Sequence, residues 1–174
     1  VYVIEEVTPP KGYLSSAKSI KIDARDAAKQ SEEAVVTYEG WVLNTIKYGA
    51  QAILKTLGSG STDPDPGYVE QPEPGAEFDV YLLSAGSYEN SRDCERDHLK
   101  TNKRGYAKTK ALPYGIYVLQ QTKGRPGYEL KGPITFEING EEDLVNPPQL
   151  VLSDQPIRYR LRLIKVDSET GKVI

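Results

Sequence analysis

The chain has 174 residues, enough for one domain or two small ones. Lys and Arg total 22 against 25 for Asp and Glu, and the net charge of -3 disfavours nucleic acid and anionic membranes as partners. One Cys and one His exclude an internal disulfide and a conventional metal centre, so no cofactor is expected, and no apolar run is long enough to span a bilayer.

The chain is rich in strand and turn formers and repeats itself. Its 12 Tyr, 15 Gly and 12 Pro predict an all-β fold. Residues 2–13 align with residues 117–128, with the first Tyr and the final Gly-Tyr in register. A repeat of this period predicts a tandem array of small domains. We therefore expect an excerpt from a longer polypeptide, with the end of one copy, a complete copy and the opening strand of a third at residues 1–48, 49–158 and 159–174.

In the first copy, two polar residues fall in phase with apolar neighbours. By the two-residue period of a strand, Glu6 shares a face with Tyr2 and Ile4, and Asn44 shares a face with Val42. Both polar side chains are therefore predicted to turn toward a core.

The complete copy shows the pattern of strands separated by turns. Alternating apolar residues predict strands over 75–83, 116–121 and 133–140. Residues 87–99 are the one stretch that suits a short helix. Residues 57–75 contain four Pro and a Gly-Ser-Gly-Ser run, which predicts an exposed loop.

Three polar residues of this copy are also in phase with apolar neighbours: Lys55, Gln121 and Asp154. Burying an isolated ammonium or carboxylate costs roughly several kcal/mol, so such groups pair, become neutral or react. A buried lysine can form an amide with an Asx side chain when a neighbouring acid relays protons. Lys55 and Asp154 are therefore candidates for an intramolecular isopeptide bond, and the alternative is a buried ion pair in an unlinked domain.

Residues 157–166 predict a last strand with Lys165 on its apolar face. Such a strand can add to an exposed sheet edge of a second molecule. We therefore expect head-to-tail self-association in which Lys165 meets Asn44 under Glu6 of a neighbouring chain. The alternative is that both ends are frayed.

These motifs together resemble the CnaB-type (SpaA-like prealbumin) domains of Gram-positive surface adhesins and pilins. Residues 2–13 resemble the E-box of that family, and Lys-Val-Asp-Ser-Glu-Thr-Gly at 165–171 resembles its opening strand and turn. Gly-Ala-Glu-Phe at 75–78 resembles the start of its second strand. The resemblance implies Greek-key β-sandwich repeats of the prealbumin or Ig-like type.

The resemblance also implies roles for the inward polar residues. In that family, a first-strand Lys joins a last-strand Asn or Asp under an E-box Glu. This assigns Glu6 and Asn44 to the first copy, whose Lys would lie upstream of the sequence, and Lys55 and Asp154 to the central copy. The central E-box position holds Gln121, which donates a hydrogen bond but does not relay a proton, and this departure favours the unlinked ion pair.

Two functions follow from these observations. The first is a structural stalk module of an extracellular, cell-wall-attached adhesin or pilin-like protein, whose partners are neighbouring repeats of the same chain. The second is a binding module that contacts a host protein or glycan through residues 57–75 or 87–99. An enzyme is disfavoured, because self-modification by an isopeptide bond is the one reaction that the residues suggest.

Overall fold

The computed structural model describes residues 1–16, 18–23, 41–61, 66–142 and 144–174. Fourteen short strands appear in this part of the chain. In chain order they are β1 Tyr2–Ile4, β2 Tyr13–Leu14, β3 Ile20–Ile22, β4 Thr45–Ile46, β5 Tyr48–Gly49, β6 Ala52–Leu57, β7 Gln71–Pro72, β8 Glu77–Leu82, β9 Arg96–Lys100, β10 Tyr106–Lys108, β11 Leu112–Pro113, β12 Gly115–Lys123, β13 Ile134–Ile138 and β14 Gln149–Asp154. The helical turns among the described residues are two short 3-10 turns at Leu83–Ala85 and Asp93–Glu95. The all-β prediction is confirmed.

Two sheets form the central domain. The first has the order β10-β6-β14, with β7 also paired to β6, and the second has the order β13-β12-β8-β9. The second sheet is antiparallel throughout, whereas β6 and β14 run parallel and place Lys55 opposite Leu152. A long segment separates β6 from β14 in sequence, so this parallel pair brings distant parts of the chain into direct contact.

The core lies between these two sheets. Strand alternation turns Ile53 and Leu152 inward from the first sheet, and Phe78, Tyr117 and Leu119 inward from the second. All five are almost fully buried, and the Tyr117 ring stacks on Phe136 with centroids 5.7 Å apart. Burial raises the pKa of Tyr117, and its hydroxyl donates to the carbonyl of Pro113 at 2.8 Å. Polar side chains on this face therefore enter an enclosed space.

The short helix predicted over residues 87–99 is wrong. The segment holds the 3-10 turn Asp93–Glu95 and most of β9, which pairs with β8 and buries Leu99 opposite Phe78. A short polar helix would gain little by itself, whereas the strand completes a sheet ladder and covers the core.

The exposed loop predicted over residues 57–75 is wrong at both ends. Leu57 closes β6 and is buried, and Gln71–Pro72 pairs with the end of that strand. Glu73, one residue later, is also buried. Between them, described residues such as Val69 are exposed, and residues 62–65 lie outside the described part.

Short strand pairs precede the central domain. Strand β1 pairs with β3, and β2 pairs with β4. The segment touches the central domain through an ion pair of 2.9 Å between Lys11 and Glu137 and through Gly12, which packs against the ring of Tyr114. No helix in the described ranges is long and apolar enough to cross a membrane.

The last strand predicted over residues 157–166 is wrong. These residues form no sheet, and Tyr159, Leu161 and Leu163 are more than four-fifths exposed. An isolated bridge between Val166 and Val173 is the β pairing that the structure shows in this stretch. Alternation alone does not make a strand, because a strand is stable only when a neighbour pairs with its backbone groups.

Candidate functional site

Lys55 lies at the centre of the candidate site. Alternation in β6 turns its side chain between the sheets, where it is fully buried. Its backbone is held on both sides, since its N–H donates to Gly105 at 2.7 Å and its carbonyl accepts from Glu73 at 2.9 Å. The ammonium group donates to the carbonyl of Thr56 at 3.2 Å and otherwise faces two carboxyl groups.

The first of these carboxyl groups belongs to Asp154, the last residue of β14. Its Oδ1 lies 2.8 Å from Lys55 Nζ, and both side chains are fully buried. The contact lacks hydrogen-bond geometry, and Oδ1 accepts no hydrogen bond from any described residue. The ammonium group therefore touches the carboxyl group without being aligned to its lone pairs.

Gln121 holds the other oxygen of Asp154. Its Nε2 donates to Asp154 Oδ2 at 2.7 Å, and its Oε1 accepts from the backbone N–H of Lys131 at 2.9 Å. A register shift in the pairing of β12 with β8 lies between Gln121 and Lys123. The amide thus acts as an oriented donor toward Asp154.

The second carboxyl group at Lys55 belongs to Glu73, which the sequence interpretation missed. Its Oε2 lies 3.2 Å from Lys55 Nζ, and its Oε1 accepts from the backbone N–H of Arg125 at 2.6 Å. Its own carbonyl accepts from the hydroxyl of Thr101 at 2.7 Å. No pattern in the sequence marked this residue, since it stands between two prolines in a segment that looked like an exposed loop.

The enclosed set contains one amine, two carboxyl groups and one amide. The exposed fractions of Lys55, Asp154, Gln121 and Glu73 are 0%, 1%, 2% and 2%, so water does not screen their charges. One ammonium and two carboxylates would leave a net negative charge, and a single proton on a carboxyl group makes the set neutral. The arrangement can therefore hold a buried ion pair or join an amine to a carboxyl group.

The N-terminal pair is also in contact, in a more open setting. Glu6 Oε1 accepts from Asn44 Nδ2 at 2.7 Å, and Oε2 accepts from the backbone N–H of Ser16 at 2.8 Å. The hydrogen bonds from Ser16 and from Asn44 lower the pKa of Glu6. Both Glu6 and Asn44 are partly exposed, although Asn44 Oδ1 is itself buried and has no hydrogen-bond partner among the described residues.

Lys165 is not part of a built site in this chain. It lies in the exposed C-terminal segment, and its side chain makes no hydrogen bond or ion pair within the described ranges. The structure therefore does not bring Lys165 to Asn44 in one molecule. Cys94 is an exposed free thiol, and the described residues contain no cluster of His, Cys, Asp and Glu that suits a metal ion.

One protein family matches the central domain. Its description is "SpaA: Prealbumin-like fold domain", and the match covers residues 69–147, which include Glu73 and Gln121. Strands β7 to β13 lie within this range. The match confirms the family resemblance that the sequence motifs predicted. No curated protein matches the chain.

Several solved structures are similar to the chain. The Bacillus anthracis TIE protein matches with a TM-score of 0.51 and 26% identity, over 90% of this chain and 25% of that one. The minor pilin GBS52 of Streptococcus agalactiae matches with a TM-score of 0.48 and 17% identity, over 71% and 52%. The major pilin SpaD of Corynebacterium diphtheriae matches with a TM-score of 0.43 and 19% identity, over 63% and 32%. This chain thus spans between 25% and 52% of the length of these three proteins.

Proposed function

We propose that this chain, whose residues 69–147 form a SpaA-type prealbumin-like domain, is a structural stalk module of a Gram-positive surface protein. The proposal includes an extracellular, cell-wall-attached location through the parent protein, and neighbouring repeats as partners. It also includes an isopeptide bond between Lys55 and Asp154. The observation that carries it is the buried contact of 2.8 Å between these side chains, on two parallel strands of one sheet.

Such a bond would suit a load-bearing module. In chain order β6 is the first strand of the first sheet and β14 is the last, and the two strands pair with each other, so a link between them would take the intervening chain out of the path of the load. An amide between Lys55 and Asp154 would carry the load directly from one strand to the other. It would also close a loop of about a hundred residues, for which the chain-entropy model for cross-links gives about 4.7 kcal/mol of stabilisation.

The binding-module alternative has less support. Residues 57–75 include β7 and the buried Glu73, and residues 87–99 include most of β9, which covers the core. Both segments that suggested a binding surface are therefore partly built into the domain. We therefore assign the central domain a mechanical role. Glu6 and Asn44 are the candidates for the same chemistry in the N-terminal part, and head-to-tail association through Lys165 remains a prediction for two molecules.

Stretching single molecules from end to end tests this role. The wild-type chain is expected to extend without the loop between Lys55 and Asp154, which hides about 350 Å of chain. Lys55→Ala is expected to release that length. Lys123→Ala is the matched control, because Lys123 is an exposed lysine that pairs with Glu77 at the surface. Equal extension of wild type and Lys55→Ala would contradict the load-bearing bond.

A further inference from the structure

We propose that Glu73 is the acid that moves the proton when Lys55 and Asp154 join. This inference rests on the isopeptide bond in the proposed function. An ammonium group must lose one proton before its nitrogen can attack a carboxyl carbon and a second as the amide forms, and the departing oxygen must gain a proton. The amide of Gln121 does neither at ordinary pH, so another group of the enclosed site must perform both transfers.

The contacts of Glu73 suit this task. Its backbone N–H is bonded to the carbonyl of Lys55 itself, which fixes the spacing between the two residues. Arg125 occupies one carboxyl oxygen, Oε1, and leaves Oε2 to face Lys55 Nζ at 3.2 Å. Oε2 accepts no hydrogen bond from the rest of the described chain. A cleft of about 360 Å³ lined by Glu73 and Arg125 lies beside the site.

Gln121 takes a different role in the same step. It donates to Asp154 Oδ2 at 2.7 Å, on the side of the carboxyl group away from the contact with Lys55. When the nitrogen attacks Cγ, negative charge collects on Oδ2, where the amide donor already points. The polarising group and the proton-transferring group are thus separate residues in this domain.

The reaction balances with the groups present. It starts from the Lys55 ammonium, the Glu73 carboxylate and a protonated Asp154, a set without net charge. Glu73 takes a proton from the ammonium group, and the nitrogen then attacks Cγ of Asp154. Glu73 returns its proton to the departing oxygen, the bond from Cγ to that oxygen breaks, and water leaves. The nitrogen gives a second proton to Glu73, so the products are an amide, one water and a protonated Glu73.

Time-resolved intact mass after cell-free synthesis of the full chain tests the role of Glu73. The wild type is expected to lose the mass of one water. In Glu73→Gln the rate of this water loss is expected to be lower by a factor of about a hundred or more, because acid–base catalysis contributes about 10²–10⁴-fold. Glu70→Gln is the matched control and should match the wild type, since Glu70 contacts the hydroxyls of Thr56 and Ser153 and has no contact with Lys55.

A relocated acid provides the rescue. Adding Gln121→Glu to Glu73→Gln places a carboxyl group on the other side of Asp154 and is expected to restore most of the rate. Gln121→Glu alone is expected not to accelerate the reaction, because Glu73 already supplies the acid in the wild type, and this measurement does not depend on whether Glu73→Gln folds. A hundredfold acceleration by Gln121→Glu alone would overturn the role of Glu73, because it would show that the wild type lacks a working acid.

The outcomes separate the two proposals. A wild type that keeps its full mass would overturn the isopeptide bond of the proposed function. A wild type that loses one water, together with a folded Glu73→Gln variant that reacts at the same rate, would leave the bond standing and overturn the role of Glu73. Near-ultraviolet circular dichroism shows whether each variant is folded.

Discussion

The chain pairs an E-box residue with an Asx residue in two places, and the two pairs differ in enclosure. In the N-terminal part, Glu6 contacts Asn44 directly but both residues are partly exposed. In the central domain, Gln121 contacts Asp154 between two sheets, and Lys55 and Glu73 complete a buried set. The motif therefore fixes a contact between two side chains, whereas the surrounding sheets decide whether charges meet away from water.

The difference also bears on the role proposed for Glu73. The central domain lacks a carboxyl group at residue 121 and places one at residue 73, on the other side of the lysine. A proton relay needs a carboxyl group in contact with the amine, and it does not need that group on a particular strand. Three predictions test how far the two regions differ.

Lys55→Met is expected to have the largest effect. It leaves two carboxyl groups enclosed without a cation, and breaking a buried pair costs about 3–5 kcal/mol. If the amide forms in the wild type, the variant instead loses the closed loop, which costs about 4.7 kcal/mol. Asn44→Ala is the matched change in the open region and is expected to lower the free energy of unfolding by about 1 kcal/mol. Thermal unfolding followed by circular dichroism compares them, and equal losses would contradict the contrast in enclosure.

Gly124→Ala is expected to have an intermediate effect. A Cβ at Gly124 would lie 2.7 Å from Gln121 Nε2 and 3.2 Å from Asp154 Oδ2, so it would push the amide away from the carboxyl group. Overpacking of this kind costs about 1–3 kcal/mol, and the variant should also lose water from its mass more slowly than the wild type. Gly132→Ala is the control, because a Cβ there meets no atom within 4 Å. Chemical denaturation measures both, and a Gly124→Ala variant as stable as the control would contradict the tight packing.

The smallest effect is expected when a low pH protonates the Glu6 carboxylate. Its pKa is lowered from 4.5 in the folded chain by the bonds from Ser16 and Asn44. A carboxyl group with a lowered pKa contributes stability above its unfolded value, and this stability is lost as the pH falls through the folded value. Amide exchange at Ser16 should therefore become faster as the pH falls below 4.5, after correction for intrinsic exchange rates.

Glu6→Gln is expected to remove this extra pH dependence. The N–H of Lys131 is an internal reference, because it bonds to the Gln121 amide, which does not titrate. Protection at Ser16 that follows the pH in the same way as protection at Lys131 would show that the Glu6 carboxylate does not stabilise the backbone at Ser16.

Local pattern was sufficient for part of the site. Alternation with apolar neighbours placed Lys55, Gln121 and Asp154 on inward faces, and the structure brings all three together. The same reasoning gave a last strand ending near Lys165 that the structure does not show, because nothing among the described residues pairs with it. Periodicity reports which face of a strand is apolar and carries no information on whether a neighbour exists.

The sequence by itself determined an all-β chain, the resemblance of its central part to SpaA-type prealbumin-like domains and the inward direction of three polar side chains. Composition, turn residues and the two-residue period are properties of neighbouring positions, so they can be read without a structure. Only the tertiary structure decided that Glu73 is buried beside Lys55. That contact depends on β7 pairing with the end of β6 and on the backbone of Arg125, which lies far from Glu73 in sequence. Pairing between distant segments is set by how the whole core closes, and no local pattern records it.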